Sequence, residues 1–302
     1  MTLPYHLVIF FLSFFLADGF KEREGAPLII DADTANEVDD LFALARALND
    51  PSIHLVAITS AQFHTSPLAS DSTVWESQLI NEELVKLTGR SDVALPVGAN
   101  FPLESIEKPR ISEASTFIVN QAKSLKKQEK LDVIILGSCT NVASAILQAP
   151  EIIPLLRVHY LGFWHNPETN TYNKKEFNSG NDTLAVNLLL NTEGLELNVM
   201  TATTSQRLVF EKGEVDEKLK GKSPLGDYLV DRWESYERWW TKADPEKLRW
   251  TMWDVAIVEA LIKPELSKVE EFDAPEENVP RKIGIHTAID VEGMKQDFWS
   301  FF

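Results

Sequence analysis

Short apolar runs recur along the chain and predict its strands. They occupy residues 28–30, 55–58, 133–136, 158–161 and 197–200, the last two each interrupted by one polar residue, His159 and Asn198. Runs without regular polar alternation are typical of strands buried on both faces of a sheet. We therefore predict that these runs form the core of one sheet.

The segments between these runs have helical patterns. Leu41, Leu44, Ala45 and Leu48 follow the spacing of one helix face. Further helices are predicted at residues 75–88, 112–127, 140–148, 182–191, 224–241 and 254–262. Alternating buried strands and amphipathic helices predict an α/β fold with a mostly parallel central sheet flanked by helices. Ligands bind such sheets beyond the carboxyl ends of the strands, so the residues that follow each strand are the candidates for chemistry.

The amino terminus differs from the rest of the chain. Residues 7–16 are an apolar run too short to span a bilayer, and charged residues follow at 21–24. This length predicts a signal peptide over residues 1–19, a secreted or periplasmic protein and no stable membrane anchor. Lys and Arg are absent before the run, so a hydrophobic tail that is not cleaved, or an incorrectly assigned start, is the alternative. The folded domain is expected at residues 27–302.

Composition narrows the possible partners. The 302 residues contain 29 Lys and Arg against 46 Asp and Glu, a formal net charge of −17. Nucleic-acid backbone is therefore an unsuitable main partner, because binding it requires clustered basic residues. The single cysteine, Cys139, excludes an intrachain disulfide and a cysteine-based zinc cluster.

An acidic segment follows the first predicted strand. It carries five carboxylates within ten residues: Asp31, Asp33, Glu37, Asp39 and Asp40. Carboxylates this dense repel one another unless a cation lies among them, and Ca²⁺ takes oxygen ligands of this kind. The alternative is an acidic turn that caps and solubilises a helix, but a cap needs only one or two acids. The segment thus predicts a site for a hard cation.

Three later segments carry further candidates. A Gly-Ser-Cys-Thr-Asn turn, residues 137–141, follows the strand that ends at Leu136. Asn170, Glu176 and Asn178 form a polar segment after the strand at 158–161, and such side chains suit the hydroxyls of a sugar. Trp253 and Asp254 begin the apolar helix at 254–262. Each segment also has a structural alternative, respectively a strand-to-helix turn, a polar loop and a core tryptophan.

These segments together resemble the inosine-uridine-preferring nucleoside hydrolases, over about residues 27–302. The resemblance rests on the Asp-x-Asp after the first strand, the Asp-Asp pair, the Thr-Asn turn, the Glu-Phe-Asn tripeptide and the late Trp-Asp. It implies the nucleoside-hydrolase fold and hydrolysis of the N-glycosidic bond of ribonucleosides to free base and ribose. The loop between Asp33 and Asp39 has five residues, which is longer than usual in the family, and this leaves room for Glu37 to alter the site.

The resemblance also implies a role for each matched residue. Asp33, Asp40, the main-chain carbonyl of Leu136 and Asp254 would bind calcium, and Asp33 would also activate the attacking water. Ribose would be held by Asp39, Asn170, Glu176 and Asn178. Trp253 matches a position where purine-specific members carry a base-stacking tryptophan, which favours purine nucleosides. Family members are commonly dimers or tetramers, so we expect a homo-oligomer.

Two other functions fit part of the pattern. A haloacid-dehalogenase-type phosphohydrolase also has Asp-x-Asp after its first strand, but it requires Thr or Val where this chain has Ala35, and its later lysine and acidic pair have no convincing match. A calcium-dependent binding protein that holds a nucleoside or sugar without hydrolysing it is the other alternative. Release of ribose, with Asp33→Ala as the control, separates an enzyme from a binder.

Aromatic residues and histidines complete the prediction. Trp233, Tyr236, Trp239 and Trp240 have helical spacing and are expected in the core or a subunit interface. His64 and His165 follow predicted strands, but structural roles are expected for both. The segment 285–290 resembles the family's last strand.

Overall fold

The computed structural model describes residues 25–302. The predicted signal peptide lies outside the described residues and stays a prediction. Within residues 25–302, no helix combines the length and the apolar character needed to cross a bilayer.

The strands of the described chain form one large sheet and two small hairpins. In chain order they are β1 (Leu28–Ala32), β2 (Leu55–Ser60), β3 (Leu131–Ile135), β4 (Leu156–Gly162), β5 (Trp164–Asn166), β6 (Thr171–Asn173), β7 (Glu196–Thr201), β8 (Val209–Glu211), β9 (Arg249–Thr251), β10 (Ser267–Asp273) and β11 (Lys282–Ile289). The sheet has seven strands in the order β10-β11-β7-β4-β3-β1-β2. Its strands run parallel except for β10, which pairs antiparallel with β11 at one edge. Strands β5 and β6 form one hairpin, and β8 and β9 form the other.

Helices connect and cover the strands. In chain order they are α1 (Asp39–Asn49), α2 (Thr73–Thr88), α3 (Glu113–Ser124), α4 (Thr140–Gln148), α5 (Phe177–Asn181), α6 (Thr183–Asn191), α7 (Ala202–Ser205), α8 (Lys212–Leu219), α9 (Pro224–Ser235), α10 (Trp253–Ile262) and α11 (Val291–Trp299), with short 3-10 turns at Pro150–Leu155 and Pro264–Leu266. The apolar core forms two layers, one on each side of the sheet. Helices α1 and α10 pack together within one layer, and this pairing brings their first turns side by side.

The hydrophobic pattern predicted this architecture well. Every strand predicted from an apolar run is present, and the predicted α/β fold with a mostly parallel sheet is confirmed. The last strand, expected within 285–290, is β11. Strand β10 was not predicted, because it is an edge strand with mostly exposed and charged side chains. The predicted helix at 224–241 is too long: α9 ends at Ser235, and Tyr236 is extended.

Candidate active site

The first acidic residue is a structural anchor at the end of β1. Asp31 is buried, and its Oδ1 accepts hydrogen bonds from Thr59 Oγ1 at 2.6 Å and Asn141 Nδ2 at 2.9 Å. Burial raises the pKa of Asp31 to about 6. Asn141 also donates to the carbonyl of Ser60, so the predicted Thr-Asn turn ties three neighbouring strand ends together. The turn thereby fixes the relative positions of the strand ends on which the site is built.

Asp33 lies directly beyond β1 with one carboxylate oxygen unpaired. Its Oδ2 is buried and has no hydrogen-bond partner among the described residues. Burial, followed by the charge of Asp39, raises the pKa of Asp33 well above its usual value. A Cβ on Gly137 would lie 2.8 Å from the Asp33 carboxyl group, so only glycine leaves room for this side chain. The turn after β3 therefore accommodates the carboxylate at the end of β1.

The first turns of α1 and α10 bring three carboxylates together. Asp39, Asp40 and Asp254 are buried, and one oxygen of each lies within 4.8 Å of the others. The backbone N–H of Asp254 donates to Asp39 Oδ2 at 3.1 Å. Burial raises the pKa of Asp39 to about 7, and burial together with the charges of neighbouring carboxylates raises the pKa values of Asp40 and Asp254 well above normal. We call Asp39, Asp40 and Asp254 the acidic triad.

The acidic triad fits a divalent cation. Asp40 Oδ1 and Asp254 Oδ1 are buried without a hydrogen-bond partner in the described chain, as is Asp33 Oδ2. Buried carboxylates are costly unless they are paired or bind a metal. An all-oxygen donor set of this kind suits a hard cation such as calcium or magnesium. The residues present therefore fit such an ion, with Asp33 beside the triad rather than inside it.

Glu176 and Asn178 line a cavity that the acidic triad also lines. Glu176 caps the short helix α5 by accepting from the N–H groups of Asn178 and Ser179, and it also accepts from Phe163 N at 3.0 Å. Burial raises the pKa of Glu176. Asn178 Nδ2 donates to the carbonyl of Leu136 at 2.5 Å. Backbone contacts thus hold a carboxylate and an amide in fixed positions facing the cavity.

The structure does not bring Asn170 to this part of the cavity, and its predicted contact with ribose stays a prediction. Asn170 lies between β5 and β6 with φ of 50° and does not line the cavity. Its side chain bonds His165 Nε2 at 3.0 Å and donates to the carbonyl of Asp273 at 3.2 Å. The hairpin turns this amide toward β10, away from Glu176 and Asn178.

Aromatic side chains form the outer walls. Trp253 makes an edge-to-face contact with Trp164, with ring centroids 5.9 Å apart, and Phe177 contacts Trp239 at the same distance. Trp240 lines the cavity as well. Trp233 and Tyr236 are buried in the core, as expected, whereas Trp239 and Trp240 line the cavity instead of the core. A subunit interface at these residues stays a prediction.

Several residues that line the cavity were not predicted, although the sequence contained an indication for two of them. Trp239 and Trp240 are adjacent in a polar segment, and adjacent helical residues do not share one face. That pairing argued against a core location for both rings. Trp164, Lys175 and Phe177 had no such signal, since they reach the cavity only through the β5–β6 hairpin and α5.

Two hydrogen bonds hold the loop between Asp33 and Asp39 in place. Glu37 Oε1 accepts from Trp250 Nε1 at 2.7 Å, and the hydroxyl of Tyr236 donates to the carbonyl of Asn36. Burial and the charge of Asp39 raise the pKa of Glu37 well above normal. The loop therefore adds a carboxylate to the cavity wall and links it to the segment after α9.

The two histidines that follow strands do not enter the site. His64 stacks on Phe101 with ring centroids 4.8 Å apart, and His165 packs between Tyr172 and Phe272. Neither residue lines the cavity, which agrees with the structural roles expected for them.

All these walls enclose one cavity of about 260 Å³. Six carboxylates, two amides and four tryptophans are among the residues that line it. Such a combination suits a ligand with a hydroxyl-rich part and a flat apolar part. A nucleoside has this composition.

Comparison with known proteins settles the family. The family model described as inosine-uridine preferring nucleoside hydrolase matches residues 28–294. The chain belongs to this family. It is thus a nucleoside N-ribosyl hydrolase, and the predicted enzyme class is confirmed. The match also overrules the phosphohydrolase alternative. A comparison with curated protein sequences found no significant match.

Solved structures of nucleoside hydrolases share this fold. The plant nucleoside hydrolase PpNRh1 aligns with a TM-score of 0.72 at 15% identity, covering 91% of this chain and 98% of its own. A purine-preferring ribonucleoside hydrolase from Gardnerella vaginalis aligns with a TM-score of 0.70 at 19% identity, covering 91% and 97%. An inosine-uridine-preferring nucleoside hydrolase from Bacillus anthracis gives 0.68 at 15% identity, covering 92% and 99%. The nucleoside hydrolases of this family depend on a metal ion, and the acidic triad lies where such an ion fits.

Proposed function

We propose that this nucleoside hydrolase is calcium-dependent and prefers purine ribonucleosides, releasing free base and ribose. One observation carries the proposal: buried carboxylate oxygens of Asp33, Asp40 and Asp254 lack partners in the described chain and line the same cavity. A cation supplies the charge that these groups need, and ribose hydroxyls supply further polar contacts.

The proposed calcium ligands are Asp33, Asp40, Asp254 and the carbonyl of Leu136. All of them offer oxygen, and the set includes no nitrogen or sulfur donor, which favours calcium over transition metals. When bound, the cation orients the sugar hydroxyls and lowers the pKa of a water molecule. Asn178 already contacts the Leu136 carbonyl, so the amide and the ion would share that end of the cavity.

Asp33 is the proposed general base. Its carboxylate accepts the proton of the attacking water, whose oxygen forms a bond to the anomeric carbon. The bond from that carbon to the base nitrogen breaks, and its electron pair leaves with the base, which takes a proton from solvent. Asp39, Glu176 and Asn178 hold the sugar, and the negative charge of the two carboxylates favours the positive charge that develops on the ring.

The aromatic walls support the purine preference. Trp253 contacts Trp164 edge to face, so an exposed part of each indole is available for stacking on a flat base. A purine offers more ring surface than a pyrimidine. Cavity-lining histidine is absent within residues 25–302, so base departure relies on stacking and solvent rather than on an imidazole acid.

Free ribose tests this proposal. The chain beginning at residue 20 is incubated with inosine, adenosine, guanosine, uridine and cytidine, with calcium or with a chelator. We expect ribose from the purine nucleosides, at least tenfold less from the pyrimidines, and none with chelator. Asp33→Ala is the inactive control, and restoration by calcium but not by magnesium identifies the ion.

Two outcomes would overturn parts of the proposal. Equal release from uridine and inosine would exclude the purine preference. Thermal stabilisation by nucleosides without any ribose release would establish instead the binding protein that the sequence also allowed.

A further inference from the structure

Trp240 is a tryptophan of the cavity wall whose position depends on two other rings. It lies in the irregular segment between α9 and β9, lines the cavity and is 40% exposed. Its ring centroid is 6.0 Å from that of Tyr236 and 6.1 Å from that of Trp250. The place of Trp240 in the wall therefore depends on where these two rings are held.

Adjacent residues of one loop hold both supporting rings. The hydroxyl of Tyr236 donates to the carbonyl of Asn36, and Trp250 Nε1 donates to Glu37 Oε1 at 2.7 Å. The two rings also contact each other, with centroids 5.9 Å apart. Asn36 and Glu37 belong to the loop at 34–38, which we call the first loop. Through one hydrogen bond each, they fix the rings against which the cavity tryptophan packs.

The first loop is itself fixed to the rest of the protein. Thr34 is buried and donates to Asn81 Oδ1 in α2 at 2.6 Å, and the N–H of Ala35 donates to Ser77 Oγ in the same helix at 3.3 Å. The segment between α9 and β9 is irregular by contrast. A loop anchored on a helix thus supports a segment that has no regular structure of its own.

We propose that Asn36 and Glu37 are positioning residues that hold Trp240 in place for the base, so that the first loop controls how well the base is bound. This inference rests on the proposed function, in which the tryptophans contact the base. A ring that is fixed before binding need not be ordered when the base enters, which favours affinity. A ring that leaves its place in part of the population lowers the apparent affinity by that fraction.

Three variants test the two hydrogen bonds. Tyr236→Phe removes the donor to the Asn36 carbonyl and keeps the ring, and Glu37→Leu removes the acceptor for Trp250. Glu37→Gln keeps an oxygen acceptor and removes only the charge. Tyr228→Phe is the matched control, because Tyr228 lies in α9, is half-buried and does not line the cavity.

The expected change is in substrate affinity. Tyr236→Phe and Glu37→Leu should each raise KM for inosine about fivefold, in the range for loss of one hydrogen bond. KM for uridine should rise less, because a pyrimidine offers less ring surface, and kcat should change little, because the acidic triad is untouched. Glu37→Gln and Tyr228→Phe should behave as wild type. Unchanged KM in Tyr236→Phe and Glu37→Leu would overturn the inference, and so would a Glu37→Gln variant as impaired as Glu37→Leu.

A double-mutant cycle shows whether the effect passes through Trp240. Trp240→Leu removes the ring that the two bonds are proposed to hold, so adding Tyr236→Phe should raise KM no further. In Trp253→Leu the same addition should still raise KM about fivefold, because Trp253 packs against Trp164 instead. An effect of Tyr236→Phe that persists in Trp240→Leu would overturn the inference.

Limited digestion with trypsin tests the anchoring without any substrate. Lys242 is exposed in the segment between α9 and β9, so cleavage after it reports how often the segment opens. We expect faster cleavage in Tyr236→Phe and Glu37→Leu than in wild type and Tyr228→Phe, and equal rates in all four proteins would overturn the inference. Equal hydrolysis of inosine and uridine by the wild type would contradict the proposed purine preference alone, since the cycle and the digestion judge the position of Trp240 separately.

Discussion

Helices α1 and α10 bring buried acidic side chains together in two places, and the two clusters differ in their charge balance. At the first turns lies the acidic triad, whose members have no basic partner among the described residues. Farther along the same helices, Arg46 donates to Glu259 at 2.8 Å, to Asp50 at 2.9 Å and to Asp297 at 2.5 Å. One pair of helices therefore contains both a charge-compensated cluster and an uncompensated one.

The difference shows which cluster is structural. Arg46 is fully buried, and its guanidinium also lies 3.6 Å from the centre of the Phe301 ring. A permanent cation from the chain suits a cluster that has only to hold helices together. The triad opens into the ligand cavity, where an ion from solution can also contact a substrate. The missing positive charge is therefore a functional feature of the site.

The largest expected effect is on catalysis. Asp33→Asn preserves shape but removes the proposed base, so kcat should fall about a thousandfold, within the usual range for general bases. Ribose release from inosine measures this, and an unchanged far-UV circular-dichroism spectrum of the variant shows that the fold survives. Activity within tenfold of wild type would exclude Asp33 as the base.

Arg46→Met should cause the largest loss of stability. It leaves the buried carboxylates of Asp50 and Glu259 without their cation, which costs about 3–5 kcal/mol of unfolding free energy. Urea denaturation measures the loss. Arg249→Met is the control, because the exposed pair of Arg249 with Glu211 should be worth about 1 kcal/mol or less. Similar losses of unfolding free energy in both variants would show that the Arg46 cluster contributes no more to stability than an exposed ion pair.

The buried carboxylates at the site predict that the stability of the metal-free protein decreases as the pH rises. Burial raises the pKa of Asp31 to about 6 and of Asp39 to about 7, so the folded state holds protons that the unfolded chain releases near pH 4. This contribution to stability is complete below pH 4 and is lost as pH rises through 7. In chelator the thermal midpoint should therefore fall by several degrees between pH 5 and pH 8.

Calcium provides the matching control for that measurement. A bound cation favours the ionised carboxylates, so excess calcium should raise the midpoint far more at pH 8 than at pH 5. A midpoint in chelator that rises steadily between pH 5 and pH 8 would contradict the account of uncompensated acids.

The smallest expected effect is on base selection. Trp253→Leu removes the proposed stacking ring, and kcat/KM for inosine should fall about fivefold, the energy of one aromatic contact. Uridine should be affected less, so the purine-to-pyrimidine ratio should shrink. Trp75→Leu is the control, since Trp75 is an exposed tryptophan that does not line this cavity. An unchanged ratio in Trp253→Leu would assign Trp253 a structural role.

Local patterns explain why so much of the site could be predicted. Apolar runs mark buried strands because both faces of this sheet are covered, and Asp33, Asp39, Asp40 and Asp254 follow a strand or begin a helix. Their positions therefore follow from the order of elements along the chain. Glu176 and Asn178 reach the cavity for the same reason, since α5 begins shortly after the hairpin that follows β4.

Other residues depend on tertiary structure that local patterns do not encode. Neither Gly nor Pro occurs between Gly226 and Pro245, so nothing in the sequence marks the end of α9 at Ser235. Contacts of the following segment with the first loop end the helix there and turn Trp239 toward the cavity. Asn170 does not line the cavity, because its direction is set by the pairing of β5 with β6 and by contact with Asp273, which the motif that it resembles does not encode.

Calorimetric titration of calcium into chelator-treated protein tests the central claim most directly. We expect one calcium ion per chain for wild type and for Arg46→Met, whose acidic triad is intact, and binding at least tenfold weaker for Asp254→Asn. Absence of calcium binding by the wild type, or equal affinity in Asp254→Asn, would contradict the assignment of Asp254, with Asp33 and Asp40, as a ligand of the cation.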